Sequence, residues 1–200
     1  PLGLPSGSNN GDRCEQRHER VLRLIEQTAR ALHVAHEAGL VHRDVKPGNV
    51  MVTPEGEPVL LDFGLVRDDA AADGLTATGQ PLGTPTYMSP EQIDAAGPTV
   101  DRTTDVYSLG ATLYEALTLM PPFTAPTRAA LFHQILNGHP PALPETVGGG
   151  RDLRIVVATS MAHDRARRYA TALDFADDLR RVRCNQPILA RPPTTPQRLR

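Results

Sequence analysis

The sequence predicts a mostly α-helical lobe with one small β-hairpin. Three observations carry that prediction. Apolar residues recur with the 3.6-residue helical period in several long segments. Two short β-prone runs, 50–53 and 58–61, are joined by the turn Pro54-Glu55-Gly56-Glu57. Proline and glycine clusters, rather than further strands, punctuate the rest of the chain.

The elements follow in order. Residues 1–12 are rich in Pro, Gly, Ser and Asn, and the stretch 1–18 is expected to be a flexible segment. A long helix is predicted from about Glu19 to Ala38. Val21, Leu24, Ile25, Thr28, Ala29, Leu32 and Ala35 mark its buried face, and Gly39 stands in the usual C-cap position. The hairpin comes next. Residues 65–82 have no useful periodicity and are expected to be a polar loop. Thr104 to Met120 is the next strong helix, stopped by Pro121-Pro122. Pro126 to Asn137 reads as a shorter helix, Gly148-Gly149-Gly150 as a turn, and Leu153–Met161 and Ala170–Val182 as the last two helices. Residues 186–200 are Pro-rich and are expected to be a linker or tail.

Bulk properties narrow the function. At 200 residues with 40% hydrophobic content, the chain is long and apolar enough for one core. Its net charge of -2 gives no reason to expect a nucleic-acid partner, and 4% aromatic content without tryptophan supplies few stacking platforms. Cys14 and Cys184 lack the spacing of a zinc site or a disulfide framework and suit a reducing, cytoplasmic setting. The histidines have no ligand-like spacing, so His33 and His36 are expected in surface or helix-packing roles. No signal peptide is visible, and no run of 18 apolar residues could span a membrane.

The chemistry is concentrated in three stretches. His42-Arg43-Asp44-Val45-Lys46-Pro47-Gly48-Asn49-Val50 comes first, then Asp62-Phe63-Gly64, then Gly83-Thr84-Pro85-Thr86-Tyr87-Met88-Ser89-Pro90-Glu91. Phosphoryl transfer from a nucleotide needs a carboxylate for the hydroxyl nucleophile, oxygen ligands for Mg²⁺, and positive charge near the moving phosphoryl group. Residues 42–49 offer all three from one loop. The order and spacing of the three stretches resemble the catalytic core of the bacterial, eukaryotic-type serine/threonine protein kinases. The resemblance spans about residues 19–185 and implies a protein-kinase-like fold, specifically its C-terminal lobe, with the hairpin beside the catalytic loop.

The resemblance implies roles. Asp44 is the expected catalytic base, Lys46 reaches the transferring phosphate, and Asn49 and Asp62 hold the metal. The implied cofactors are ATP and Mg²⁺ (or Mn²⁺). Phe63 is expected against His42, with Gly64 allowing the turn. Thr84 is expected near Asp44 and Lys46, favouring a Ser/Thr acceptor on a protein substrate. Thr76 and Thr78 are candidate activating phosphorylation sites, reached by self-association, whose phosphate would pair with Arg43. Glu91 is expected to form a buried ion pair with Arg168, Arg167 being the alternative partner. Asp105 is expected to brace the catalytic-loop backbone. Gly48 supplies no charge for selecting a basic residue before the acceptor.

Residues 1–41 contain no G-x-G-x-x-G loop and no strand lysine, because the first lysine is Lys46. The expectation is therefore a large lobe whose nucleotide-clamping partner lies upstream, inactive or nearly so by itself. A kinase-like scaffold that binds partners through the helical lobe is the alternative, disfavoured because Asp44, Lys46, Asn49 and Asp62 are all present. The product is expected in the cytoplasm, and a longer form could be membrane-anchored.

Overall fold

The computed structural model describes residues 10–63, 85–94, 99–145, 147 and 149–191. Helix α1 (Asn10–Glu37) leads into a loop and a 3-10 turn (Pro47–Asn49), then strands β1 (Val50–Val52) and β2 (Pro58–Leu60). A second 3-10 turn (Pro85–Tyr87) precedes the short helix α2 (Pro90–Ile93). Helices α3 (Arg102–Thr118), α4 (Arg128–Asn137) and α5 (Gly150–Ser160) follow, then a turn at Arg165–Arg167 and helix α6 (Ala172–Arg183). The strands pair antiparallel, with Val50 opposite Leu60, Met51 opposite Val59 and Val52 opposite Pro58.

Helix α3 is the centre of the lobe. Val106, Tyr107, Leu109, Ala111 and Leu113 are buried along it, and α1, α5 and α6 all pack against it. Asp101 caps its start by accepting a hydrogen bond from the Thr103 amide at 2.8 Å, so the helix begins two residues before the predicted Thr104. It ends at Leu119, which takes the left-handed conformation (φ 61°) more usually given to glycine. Gly110 lets α5 approach. A methyl group there would run into Ser160 Oγ and lie 2.9 Å from Ser160 Cβ. Ser160 is fully buried and its hydroxyl donates to the Val157 carbonyl, so it cannot step aside. Gly110→Ala is expected to cost about 1–3 kcal/mol through overpacking. Urea unfolding checks this, and Ser160→Gly should return part of the loss; an unchanged midpoint would contradict the close approach.

Two boundaries differ most from the sequence expectation. Helix α1 starts at Asn10, so residues 10–18 are helical rather than part of a flexible segment. Tertiary contacts hold this first part: Arg17 donates to the Ala116 carbonyl on α3 at 2.6 Å, and His18 is buried. The buried stripe centres on Leu22, Ile25, Ala29 and Leu32, with Val21 and Leu24 only partly covered. The chain after α6 is also more ordered than a linker. The fully buried Asp178 accepts from the amides of Leu189 and Ala190, both at 2.8 Å, and from the Tyr169 hydroxyl. Residues 186–191 are thereby folded back onto the lobe, and 192–200 lie outside the described residues. Among the described residues no helix is long and apolar enough to cross a membrane.

Candidate active site

The loop 41–49 is held from below by one carboxylate. Asp105, in the first turn of α3, is fully buried. Its Oδ2 accepts from the His42 amide at 2.8 Å, and its Oδ1 accepts from the Arg43 amide at 2.7 Å. The His36 ring on α1 completes the set, with Nε2 at 2.7 Å from Asp105 Oδ2. A buried carboxylate needs such partners. The result is a rigid joint between α1, α3 and the loop. Arg43 is thereby kept at φ 66°, a conformation that side chains adopt only when their surroundings over-determine it.

The His42 ring, also fully buried, ties the loop to the end of β2. Its Nε2 donates to the Leu61 carbonyl at 2.9 Å, and its Nδ1 accepts from the Asp44 amide at 3.3 Å. This pattern places the ring hydrogen on Nε2. Phe63 lies against the same ring, with centroids 4.8 Å apart. Val45 points into the core at 1% exposure.

Three of the predicted site residues come together here. Asp44 Oδ2 accepts from Lys46 Nζ at 2.8 Å and from Asn49 Nδ2 at 3.0 Å. Asn49 Nδ2 also donates to the Asp44 carbonyl at 2.7 Å. Both bonds use the amide nitrogen, so the Asn49 carbonyl oxygen is turned away from Asp44. The Asp44 side chain keeps 51% of its surface exposed, as a group that must meet an incoming hydroxyl requires. The exposed pair with Lys46 adds little to stability. Lys46 is the only lysine in the chain.

Asp62 follows β2 directly. The Leu61 amide donates to the Asn49 carbonyl at 2.9 Å, so the segments carrying Asn49 and Asp62 are hydrogen-bonded neighbours. Asp62, like Arg43, has a positive φ, 56°. A carboxylate and an amide carbonyl are hard oxygen donors that suit Mg²⁺, which commonly takes one or two protein ligands and completes its shell with phosphate and water oxygens. Thr84, Thr76, Thr78 and Gly64 lie outside the described residues. Apolar side chains on and beside the hairpin, among them Met51, Val59 and Leu61, are exposed next to this loop.

Helix α2 is fastened to the lobe by a buried ion pair. Arg168 Nη1 and Nη2 donate to Glu91 Oε1 and Oε2 at 2.6 and 2.9 Å. The Thr104 hydroxyl donates to Glu91 Oε1 at 2.7 Å, and Arg168 also donates to the carbonyls of Ala162, Thr103 and His163. The Arg168 guanidinium stacks over the Tyr107 ring, 4.8 Å from its centroid. Arg167, the alternative partner, stays at the surface beside Asp164. Burial alone would raise the Glu91 carboxyl, but the hydrogen bonds and charge of Arg168 bring it down to about 2.

Sequence reasoning missed two contributors. His36 was assigned no particular partner, yet it meets Asp105, which is 69 positions away. Gln92 was not singled out. The pattern Ser89-x-x-Gln92 signals a capping box, and the box is present. Its side chain also donates to the Arg43 carbonyl at 2.7 Å. A cavity of about 520 Å³ lies elsewhere, between α5, α6 and the turn at Arg165–Arg167. Several of its charged side chains already have partners, as Arg168 does in Glu91 and Arg181 in Asp178.

A family model described as the protein kinase domain matches residues 10–179. This chain belongs to the protein kinase family. The kinase chain is 37% identical over 170 residues to serine/threonine-protein kinase PknB of Mycobacterium leprae, covering 84% of this chain and 27% of that protein. It is 38% identical over 171 residues to PknB of Mycobacterium tuberculosis, with the same coverage. It is 38% identical over 185 residues to PknA of Mycobacterium tuberculosis, covering 92% of this chain and 40% of that protein. The kinase chain thus spans between about a quarter and two fifths of the length of these curated relatives. The mostly helical lobe with its single two-stranded sheet fits the kinase fold.

Proposed function

We propose that this chain supplies the catalytic-loop half of a serine/threonine protein kinase, transferring the γ-phosphoryl group of MgATP to a Ser or Thr hydroxyl of a protein. The observation that carries the reading is the cluster at Asp44, whose exposed carboxylate is held by Lys46 and Asn49 on a loop braced by Asp105. Asp44 accepts the proton of the incoming hydroxyl and orients its oxygen toward the phosphorus. Lys46, 2.8 Å from that carboxylate, swings its ammonium onto the transferring phosphoryl oxygens. Asn49 and Asp62 would hold Mg²⁺ through their oxygens, and the ion would supply positive charge to the phosphate oxygens when bound. Thr84 is the residue that favours a Ser or Thr acceptor in this reading, and Thr76 and Thr78 are the candidate sites whose phosphorylation by a second copy would supply a charge partner for Arg43. The reaction takes place in the cytoplasm.

The described lobe offers the floor of a nucleotide site. Its exposed apolar hairpin face and the absence of a second lysine fit a site whose phosphate-covering loop and strand lysine come from another stretch of polypeptide. The 200 residues alone are therefore expected to transfer phosphate very slowly. A Mg²⁺ titration of phosphotransfer tests the metal assignment, using a polypeptide that also carries those clamping elements. Asp62→Asn should raise the Mg²⁺ requirement by about 100-fold or more, beyond the loss typical of an outer-shell partner. An unchanged requirement would remove Asp62 from the metal site.

A further inference from the structure

We propose that Gln92 is a positioning residue that couples the placement of α2 to the orientation of the catalytic base; the inference rests on the kinase reading of Asp44. The peptide joining Arg43 to Asp44 is held on both sides. Gln92 Nε2 donates to its carbonyl at 2.7 Å, and its N–H, the Asp44 amide, donates to His42 Nδ1 at 3.3 Å. The N–H one residue earlier, on Arg43, is taken by Asp105 at 2.7 Å. These three bonds surround the residue held at φ 66°, and they set the direction in which the Asp44 side chain leaves the backbone.

The direction of the Gln92 amide is settled by its partners. Its Oε1 accepts from the Ser89 amide at 3.0 Å, and a backbone amide can only donate. The Arg43 carbonyl can only accept. Nε2 must therefore face the catalytic loop. One side chain thus caps α2 and grips the loop, and the residue before it is Glu91, bound to Arg168. The Glu91–Arg168 pair sets where α2 sits. Gln92 passes that placement to Asp44 across 49 positions of sequence.

Glutamate at this position separates the two jobs. It keeps an acceptor for the Ser89 amide, as a capping box requires. It also puts a carboxylate oxygen against the Arg43 carbonyl, where a donor is needed. Methionine keeps the length and loses both bonds. In Gln92→Glu the thermal midpoint should stay close to that of the parent. Hydrogen exchange at the Asp44 amide should rise about tenfold, the ratio expected for one lost hydrogen bond of ordinary strength. In a polypeptide competent for phosphotransfer, kcat should fall by a similar factor with KM for MgATP unchanged. Gln92→Met should show the same exchange and rate effects and a lower midpoint. A role limited to capping predicts that Gln92→Glu resembles the parent in all three measurements, and Asp44 exchange within about twofold of the parent overturns the proposal. If Asp44→Asn abolishes transfer while Gln92→Glu leaves exchange unchanged, the kinase reading stands and this coupling falls. If no variant or parent transfers phosphate, the kinase reading falls, and the exchange data still decide the clamp.

Discussion

In a polypeptide that also carries the nucleotide-clamping elements, Asp44→Asn lowers phosphotransfer by about 10²–10⁴-fold, the range that a positioned general base contributes. The substitution is chosen because it preserves shape. Asn49 Nδ2 keeps the Asp44 carbonyl as an acceptor, and the loop keeps its two anchors on Asp105. What disappears is the negative charge that the proposed mechanism uses to receive a proton and that meets Lys46 at 2.8 Å. Because the side chain is half exposed and its ion pair lies near the surface, stability should change by less than about 1 kcal/mol. The signature is therefore a collapse of kcat at constant thermal midpoint, read by initial rates and by calorimetry on the same sample. Asp44→Ala should be at least as inactive, since it also removes the side-chain acceptor of the second bond from Asn49. A variant that retains most of its rate would show that proton transfer does not pass through this carboxylate.

The second large effect is structural. Arg168→Ala leaves the Glu91 carboxylate buried without its partner, which costs about 3–5 kcal/mol. The loss should exceed that of ordinary surface arginines because Arg168 also satisfies three backbone carbonyls and covers the Tyr107 ring. For a domain of this size it corresponds to a fall of roughly 10 °C in the thermal midpoint. Glu91 adds a pH dependence of known sign. Its folded carboxyl is depressed to about 2 from an ordinary 4.5, so the unfolded chain binds the proton more tightly. The pair's contribution is fully present above pH 4.5 and is lost as pH falls toward about 2. Urea unfolding across that interval should show this acid loss in the parent and a shallower one in Glu91→Gln. Equal slopes would mean that Glu91 is not the group that titrates.

Much of this was legible in the sequence, for a physical reason. Asp44, Lys46 and Asn49 lie within six consecutive residues, so local chain geometry alone brings them together. The helical periods of α1 and α3 showed their buried faces, although Leu22 rather than Val21 proved central in α1. Contacts across long separations were harder to read. His18 and Arg17 belong to a polar stretch that looks flexible, and the bond from Arg17 to Ala116 together with the burial of His18 shows why it stays helical. Asp178 could be read as one more charge on a solvated face. It is instead the buried acceptor that folds residues 189 and 190 back onto α6. Gln92 announces a helix cap in sequence, but nothing local reveals that its other end grips Arg43. The pairing of Glu91 with Arg168 was legible only through the family resemblance, since 77 positions separate them.

The central claim is that residues 42–62 form the working floor of a kinase active site that a nucleotide-clamping segment completes. The most direct measurement is transfer of the γ-phosphoryl of MgATP to protein hydroxyls, compared between the 200-residue chain alone and the same residues joined to a glycine-rich loop and strand lysine. The predicted result is transfer to Ser and Thr only in the joined form, abolished by Asp44→Asn. Transfer that survives Asp44→Asn, or a joined form that folds and binds MgATP yet transfers nothing, would contradict it.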